Sequence, residues 1–270
     1  MKKLQLNIKI VWLCAIVAGL IISLGVIHSA GRKSDRARNG GRLAPLPHII
    51  LWAWERPEKL DFVDKDKAGV AFLAKTLYLR GERVVSRPRL QPLTLSPGTK
   101  VIAVARIETT VRNAAEPASL SSAQMESAVR DIAQLAQLPD VVAVQVDFDA
   151  RTSERAFYTD LLTNLRRALP RTTALSITAL ASWCKGDNWL DNLPIDEAVP
   201  MLFRMGVDRS QIVSGLASGE SFSSPLCRQS SGISTDETLP YAPATERVYI
   251  FNPNPWSPNS FEKVLETYQR

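Results

Sequence analysis

Histidine is almost missing from this 270-residue chain: His28 and His48 are the only two. That count excludes Ser-His-Asp triads and multi-histidine zinc sites. Cysteine is scarce as well. Cys14 falls in an apolar run, where it reads as a small buried residue, which leaves Cys184 and Cys227 in the body. In an oxidising compartment these two can join and close a loop of about 40 residues. A glycine-rich phosphate loop is also lacking, since the first apolar run of the body leads into Trp54-Glu55-Arg56-Pro57. A net positive charge is missing from the body too. Residues 1–42 hold eight Lys/Arg against Asp35 alone, so the formal charge of +6 leaves −1 for the remainder. A nucleic-acid groove needs its positive charge on the folded domain and is therefore not expected.

What is present begins with Ile10–Ile27, eighteen residues without a charge, preceded by Lys2, Lys3 and Lys9. As a helix at about 1.5 Å per residue it is about 27 Å long, close to a bilayer core. We expect residues 1–30 to be a transmembrane signal anchor, with a cleaved export signal as the alternative. Residues 31–47 are rich in Gly, Pro and basic charge and read as a linker that can rest on anionic headgroups. The expected location is the inner membrane, single-pass, with residues 48–270 folded on the extracytoplasmic side.

From His48 onward, short apolar runs alternate with helical patterns. Strands are expected at Ile49–Trp54, Val70–Leu79, Val101–Ile107, Val141–Phe148, Leu175–Ala181, Ala198–Met205, Gln229–Thr235 and Arg247–Asn252. Helices are expected at Ser121–Leu138, Ser153–Leu169, Arg209–Ala217 behind Asp208, and Ser260–Tyr268 with Asn259 and Glu262 as a capping box. Residues 80–100 carry three prolines and no helical period, so an extended excursion replaces one helix. Eight strands with helices between most of them predict an α/β fold, a TIM-like (β/α)8 barrel with some helices shortened or replaced; a doubly wound open sheet is the alternative.

In such a barrel, chemistry sits where strands end. Those ends carry Trp54 and Glu55, Arg106 and Glu108, Asp147, Asp149 and Arg151, Trp183, Arg204, Glu237, and Asn252 with Trp256. Strand alternation puts Gln145, Asp147 and Asp149 on one face and Val144, Val146 and Phe148 on the other. With no histidine there, acid–base work falls to carboxylates. Two carboxylates beside indole platforms are the equipment for glycoside cleavage. Glu108 and Glu237 are candidate acids, and Asp147 and Asp149 candidate partners; all four are candidate catalytic residues. Trp54, Glu55, Arg106, Arg151, Trp183, Arg204, Asn252 and Trp256 are candidate substrate contacts. Asp147-x-Asp149 also fits a hard cation, but two residues without a phosphate loop do not make a metal site, and neither metal nor cofactor is expected. A carbohydrate or envelope glycan is the expected partner. A hydrolase needs two carboxylates on one cleft, with its acid not locked to an arginine. A non-catalytic saccharide- or envelope-partner-binding barrel is the other reading.

Six stretches, LWAWERPE, VQVDFDAR, SITALASWC, EAVPMLFRMG, LCRQSSGISTDE and RVYIFNPNPW, taken together resemble a bacterial family of exported proteins named domain of unknown function 3142. The likeness spans roughly residues 48–256. It implies a barrel similar to those of glycoside hydrolases behind a signal or anchor, and it transfers no catalytic residue. It makes Trp54, Glu55, Asp147, Asp149, Arg151, Trp183, Arg204, Asp236 and Glu237 family-like positions. One departure matters. Sugar-hydrolase barrels with an Asp-x-x-Asp-x-Asp-x-Glu strand end on glutamate, and here Arg151 occupies that place.

Overall fold

The computed structural model describes residues 41–109 and 116–268. The apolar segment Ile10–Ile27 lies outside them. Among the described residues no helix is long and apolar enough to cross a membrane.

Eight parallel strands close into a barrel. They are β1 (Ile49–Ala53), β3 (Ala68–Arg80), β6 (Val101–Glu108), β7 (Val141–Asp147), β8 (Ala174–Leu180), β9 (Glu197–Met201), β10 (Ser230–Ser234) and β11 (Arg247–Phe251), each paired with its neighbours in chain order. Pairing of β1 with both β3 and β11 makes the closure. The expected excursion is extended: β4 (Arg83–Pro88) folds back antiparallel on β3, and β5 (Leu93–Leu95) pairs with β2 (Glu58–Leu60). Helices α1 (Ser122–Ala133), α2 (Arg155–Ala168), α3 (Ala181–Gly186), α4 (Arg209–Ala217) and α5 (Pro258–Tyr268) lie in the remaining connections and after β11. Between β10 and β11 the described chain has no helix.

Local chemistry explains most boundaries. Ser121 caps α1, accepting from the Gln124 amide at 3.3 Å, as its spacing predicts. At α5 the expected Asn259–Glu262 box is replaced by serines. Pro258 starts the helix and the Ser260 amide donates to the Ser257 hydroxyl at 3.2 Å. Asp208 precedes α4 without a side-chain cap bond. The sixth barrel strand stops at Met201 rather than Met205, because the chain turns away through Arg204 in the left-handed region (φ 52°).

Strand parity sorts the core. Ile50, Trp52, Ile102, Val104, Val199 and Tyr249 point inward. Leu43 and Leu46, in the stretch expected to be linker, pack into the same inner cluster. The opposite strand faces meet the helices, as where Val144 and Val146 meet Phe157, Leu161 and Leu165 of α2. At about 25 cal/mol per Å² this double-sided burial is the main stabilising term. The barrel interior also holds a charge. Glu197, fully buried, accepts from Ser176 Oγ at 3.1 Å, Arg247 Nε at 3.1 Å, Ser230 Oγ and the Tyr249 hydroxyl. Four donors meet the requirement that a buried carboxylate be paired and hydrogen-bonded.

Cys184 on α3 is disulfide-bonded to Cys227, 43 residues on. Loop-closure entropy for that span is worth about 4 kcal/mol at most. The double variant Cys184→Ala/Cys227→Ala is expected to lose about 2–4 kcal/mol in denaturant unfolding, with the native circular dichroism retained before the transition.

Candidate functional site

The C-terminal ends of the strands surround a cleft of about 350 Å³. One wall is aromatic. Trp52 from β1 and Phe251 from β11 are the residues where strand parity turns inward at the rim, and Phe203 joins them from the turn after β9. The Phe203 and Phe251 rings are stacked, 5.5 Å apart at 6° between planes, and Trp52 meets Phe203 edge-on at 6.3 Å. Trp54, one step beyond β1, forms the lip.

The other wall is charged and centres on Arg106 of β6. Register pairs Arg106 with Asp147 across β6 and β7, so both side chains enter the same mouth. Arg106 Nη1 donates to Asp147 Oδ2 at 2.9 Å and its Nε to Glu108 Oε1 at 2.8 Å. Its guanidinium also lies 5.4 Å from the Trp54 ring centre, a cation–π contact. Burial works against the Arg106 charge, but Asp147 and Glu108 outweigh it and raise its pKa. Asp147 is buried, and Thr178 Oγ1 donates to its second oxygen at 2.7 Å.

Asp149 differs. It lines the cleft with a face open to solvent, and among the described residues it makes no ion pair. The walls strip part of its hydration and Asp147 adds like charge, so its carboxyl is pushed above the ordinary aspartate value, with Arg106 pulling the other way. Two carboxylates two residues apart, one ending β7 and one just beyond it, thus have different fates. Asp147 is an ion-paired anion, and Asp149 is a carboxyl that holds its proton to higher pH.

The other expected residues lie elsewhere. Arg204 reaches the cleft, but Asp236 at 2.6 Å and Glu237 hold its guanidinium. Glu237 also takes Arg209 at 3.0 Å and lines a separate cavity of about 610 Å³ between the β10–β11 loop and α5. Glu108 sits beside the main cleft, tied to Arg106. Glu55 is paired with Arg87 of β4. Arg151 is exposed and does not line the cleft; its amide donates to Glu154 Oε2 at 2.7 Å. Trp183 is buried edge-on against Trp189 at 5.1 Å. Trp256 is buried with its Nε1 donating to the Trp52 carbonyl at 2.8 Å. Asn252, also buried, accepts from Thr235 Oγ1 at 3.1 Å. The structure therefore brings together Trp54, Arg106, Asp147, Asp149 and Arg204, and adds Trp52, Thr178, Phe203 and Phe251. Inward parity marks Trp52, Thr178 and Phe251 in the sequence. Phe203, on a turn, carries no such signal.

No three His, Cys, Asp or Glu side chains group as metal ligands among the described residues. The chemistry on offer is proton donation by a carboxyl beside a fixed anion, under aromatic faces.

Residues 98–199 match the family described as Domain of unknown function (DUF3142), which bears out the resemblance seen in the motifs. No curated protein matches the sequence. Among solved structures, the fold is similar to a Streptomyces coelicolor protein assigned as Chitinase A, with a TM-score of 0.52 and 9% identity over 82% of this chain and 97% of that one. A spore cortex-lytic enzyme of Bacillus cereus aligns at a TM-score of 0.45 and 15% identity, over 83% of this chain and 59% of that one. At 9% identity the Streptomyces likeness is one of fold: the chain is a TIM-like barrel.

Two outcomes follow from this wall. Because folding raises the Asp149 pKa, the folded state holds the proton more tightly than the unfolded chain, and stability falls as pH rises from the ordinary aspartate value through the raised one. Asp149→Asn is expected to match the parent in thermal melts below that window and to exceed it above, by less than about 1 kcal/mol since solvent screens the site. Arg106→Met strands Asp147 and Glu108 together and is expected to cost roughly 1–3 kcal/mol in denaturant unfolding.

Proposed function

We propose that the protein hydrolyses glycosidic bonds in a cell-envelope glycan, held at the outer face of the cytoplasmic membrane by residues 10–27. The observation that carries this reading is the contrast between Asp147 and Asp149 in one aromatic-walled cleft. Paired carboxyl groups whose surroundings treat them differently divide into acid and anion. Asp149, unlocked by any arginine among the described residues, meets the requirement for the acid. It delivers its proton to the leaving glycosidic oxygen. Asp147, oriented by Arg106 and Thr178, faces the positive charge that develops at the anomeric carbon and directs the attacking water. One water adds across the bond, and solvent returns the proton to Asp149. Trp54 offers a ring face at the lip. The Cys184–Cys227 bond supports an oxidising compartment, and the chitinase name of the Streptomyces structural neighbour supports a glycan as the substrate class.

A saccharide-binding barrel is the second reading. The arginine locks on Glu108 and Glu237 favour it, as does Arg151 at the position where related strands end on glutamate.

The test uses the full chain in detergent with a panel of envelope polysaccharides, scoring new reducing ends and binding separately. The parent is expected to cleave one of them, with turnover falling as pH rises through the raised Asp149 value. Asp149→Asn is expected to lose about 10²–10⁴-fold in turnover while still binding. Trp54→Ala is expected to weaken binding about tenfold. A parent that binds without cleaving establishes the second reading. A parent that neither binds nor cleaves rejects both.

A further inference from the structure

Trp54 stands beyond the end of β1, where no barrel pairing fixes it. Its backbone is nonetheless tightly held. Arg89, just after β4, spreads its guanidinium over successive carbonyls of the β1 exit. Nη1 donates to the Trp54 oxygen at 2.6 Å and to the Ala53 oxygen at 3.3 Å, and Nη2 donates to the Arg56 oxygen at 2.5 Å. Its Nε donates to the Gln91 oxygen at 2.9 Å, and its own amide anchors on the Ala74 oxygen of β3 at 2.9 Å. All of these acceptors are main-chain carbonyls, and Arg89 has no ion-pair partner among the described residues. Burial lowers its pKa against the pull of Glu58 and Glu55, so the guanidinium keeps this position by hydrogen-bond geometry. Arg56 ties the other side of the same turn. It donates to the Asn252, Pro253 and Asn254 oxygens at 2.6, 2.9 and 2.6 Å and pairs with buried Glu58 at 2.6 Å.

We propose that Arg89 is a positioning residue for the substrate site, setting the backbone from which Trp54 presents its ring to the cleft. The inference rests on the reading of Trp54 as a sugar platform. A planar fork with five donors can bridge several carbonyls at once; an ammonium has neither the planarity nor the span. Without the fork, the turn between Ala53 and Arg56 loses every side-chain bond to its Ala53 and Trp54 carbonyls and keeps its own Arg56 amide bond to the Trp54 oxygen, at 2.8 Å, the Arg56 anchors and the Glu55–Arg87 pair. The indole then leaves the face of Arg106, and the cleft loses its lip.

Arg89→Met and Arg89→Lys test this in the full chain in detergent, each also combined with Trp54→Phe so that difference spectra isolate the Trp54 emission. Arg83→Gln on exposed β4 is the control. Both Arg89 variants are expected to shift the Trp54 component to longer wavelength and to increase its acrylamide quenching, with the control unchanged. Affinity for the polysaccharide that the parent binds is expected to fall about tenfold in Arg89→Met. In a Trp54→Ala background Arg89→Met is expected to add no further loss, because both act through one ring. An unchanged Trp54 component, or losses that add in full, overturns the proposal. If Arg89→Met does not fold, Arg89→Lys decides alone. A moved Trp54 component in a protein whose parent binds no polysaccharide upholds the clamp and removes the glycan reading.

Discussion

One guanidinium organises the mouth of this barrel. Arg106 pairs with Asp147 and Glu108 and lies against the Trp54 ring, so three groups at the mouth of the barrel meet on a single side chain. The charges are close and partly desolvated, which makes their pairing worth more than at an open surface and their separation costly. What Arg106 does not hold is Asp149. The carboxyl just above the pair feels the Asp147 charge with no arginine of its own among the described residues, and that asymmetry is what gives the site a chemistry. A barrel with the same aromatics and both aspartates locked offers recognition without proton transfer.

The two ends of the barrel lumen spend charge differently. Toward the strand starts, Glu197 is enclosed by Ser176, Ser230, Arg247 and Tyr249, with its bonding capacity filled. Burial and Glu197 together push the Tyr249 hydroxyl well above the ordinary tyrosine range, so it stays a neutral donor. Leu43 and Leu46 pack beside this hub. Toward the strand ends, the lumen opens into a cleft whose acid is exposed. A filled network serves registry and rigidity, and the open acid is the group on which the proposed hydrolysis depends.

The barrel was legible in the sequence because its strands are short, β-branched and punctuated, and because parity alone assigns Gln145, Asp147 and Asp149 to one face. Arg106 and Asp147 were legible together for the same reason. Residues on loops were not. Trp183 and Trp256 read as platforms from their place after strands, yet each is buried against neighbours that sequence order does not reveal, Trp189 in one case and the Trp52 carbonyl in the other. Glu237 follows β10 as a site acid would, but the left-handed turn at Arg204 brings in a guanidinium that captures it. Phe203 enters the cleft on that same turn. The carbonyl clamp of Arg89 leaves no sequence signature at all, since its acceptors are main-chain atoms.

The account stands on the protonation of one carboxyl. Carbon-13 NMR of the full chain with labelled aspartate carboxyls, assigned by the resonance that disappears in Asp149→Asn, reads it directly. The Asp149 resonance is expected to titrate above the ordinary aspartate range in the parent. A midpoint at or below that range would mean that Asp149 is another paired anion, and the division of labour between the two aspartates would be lost.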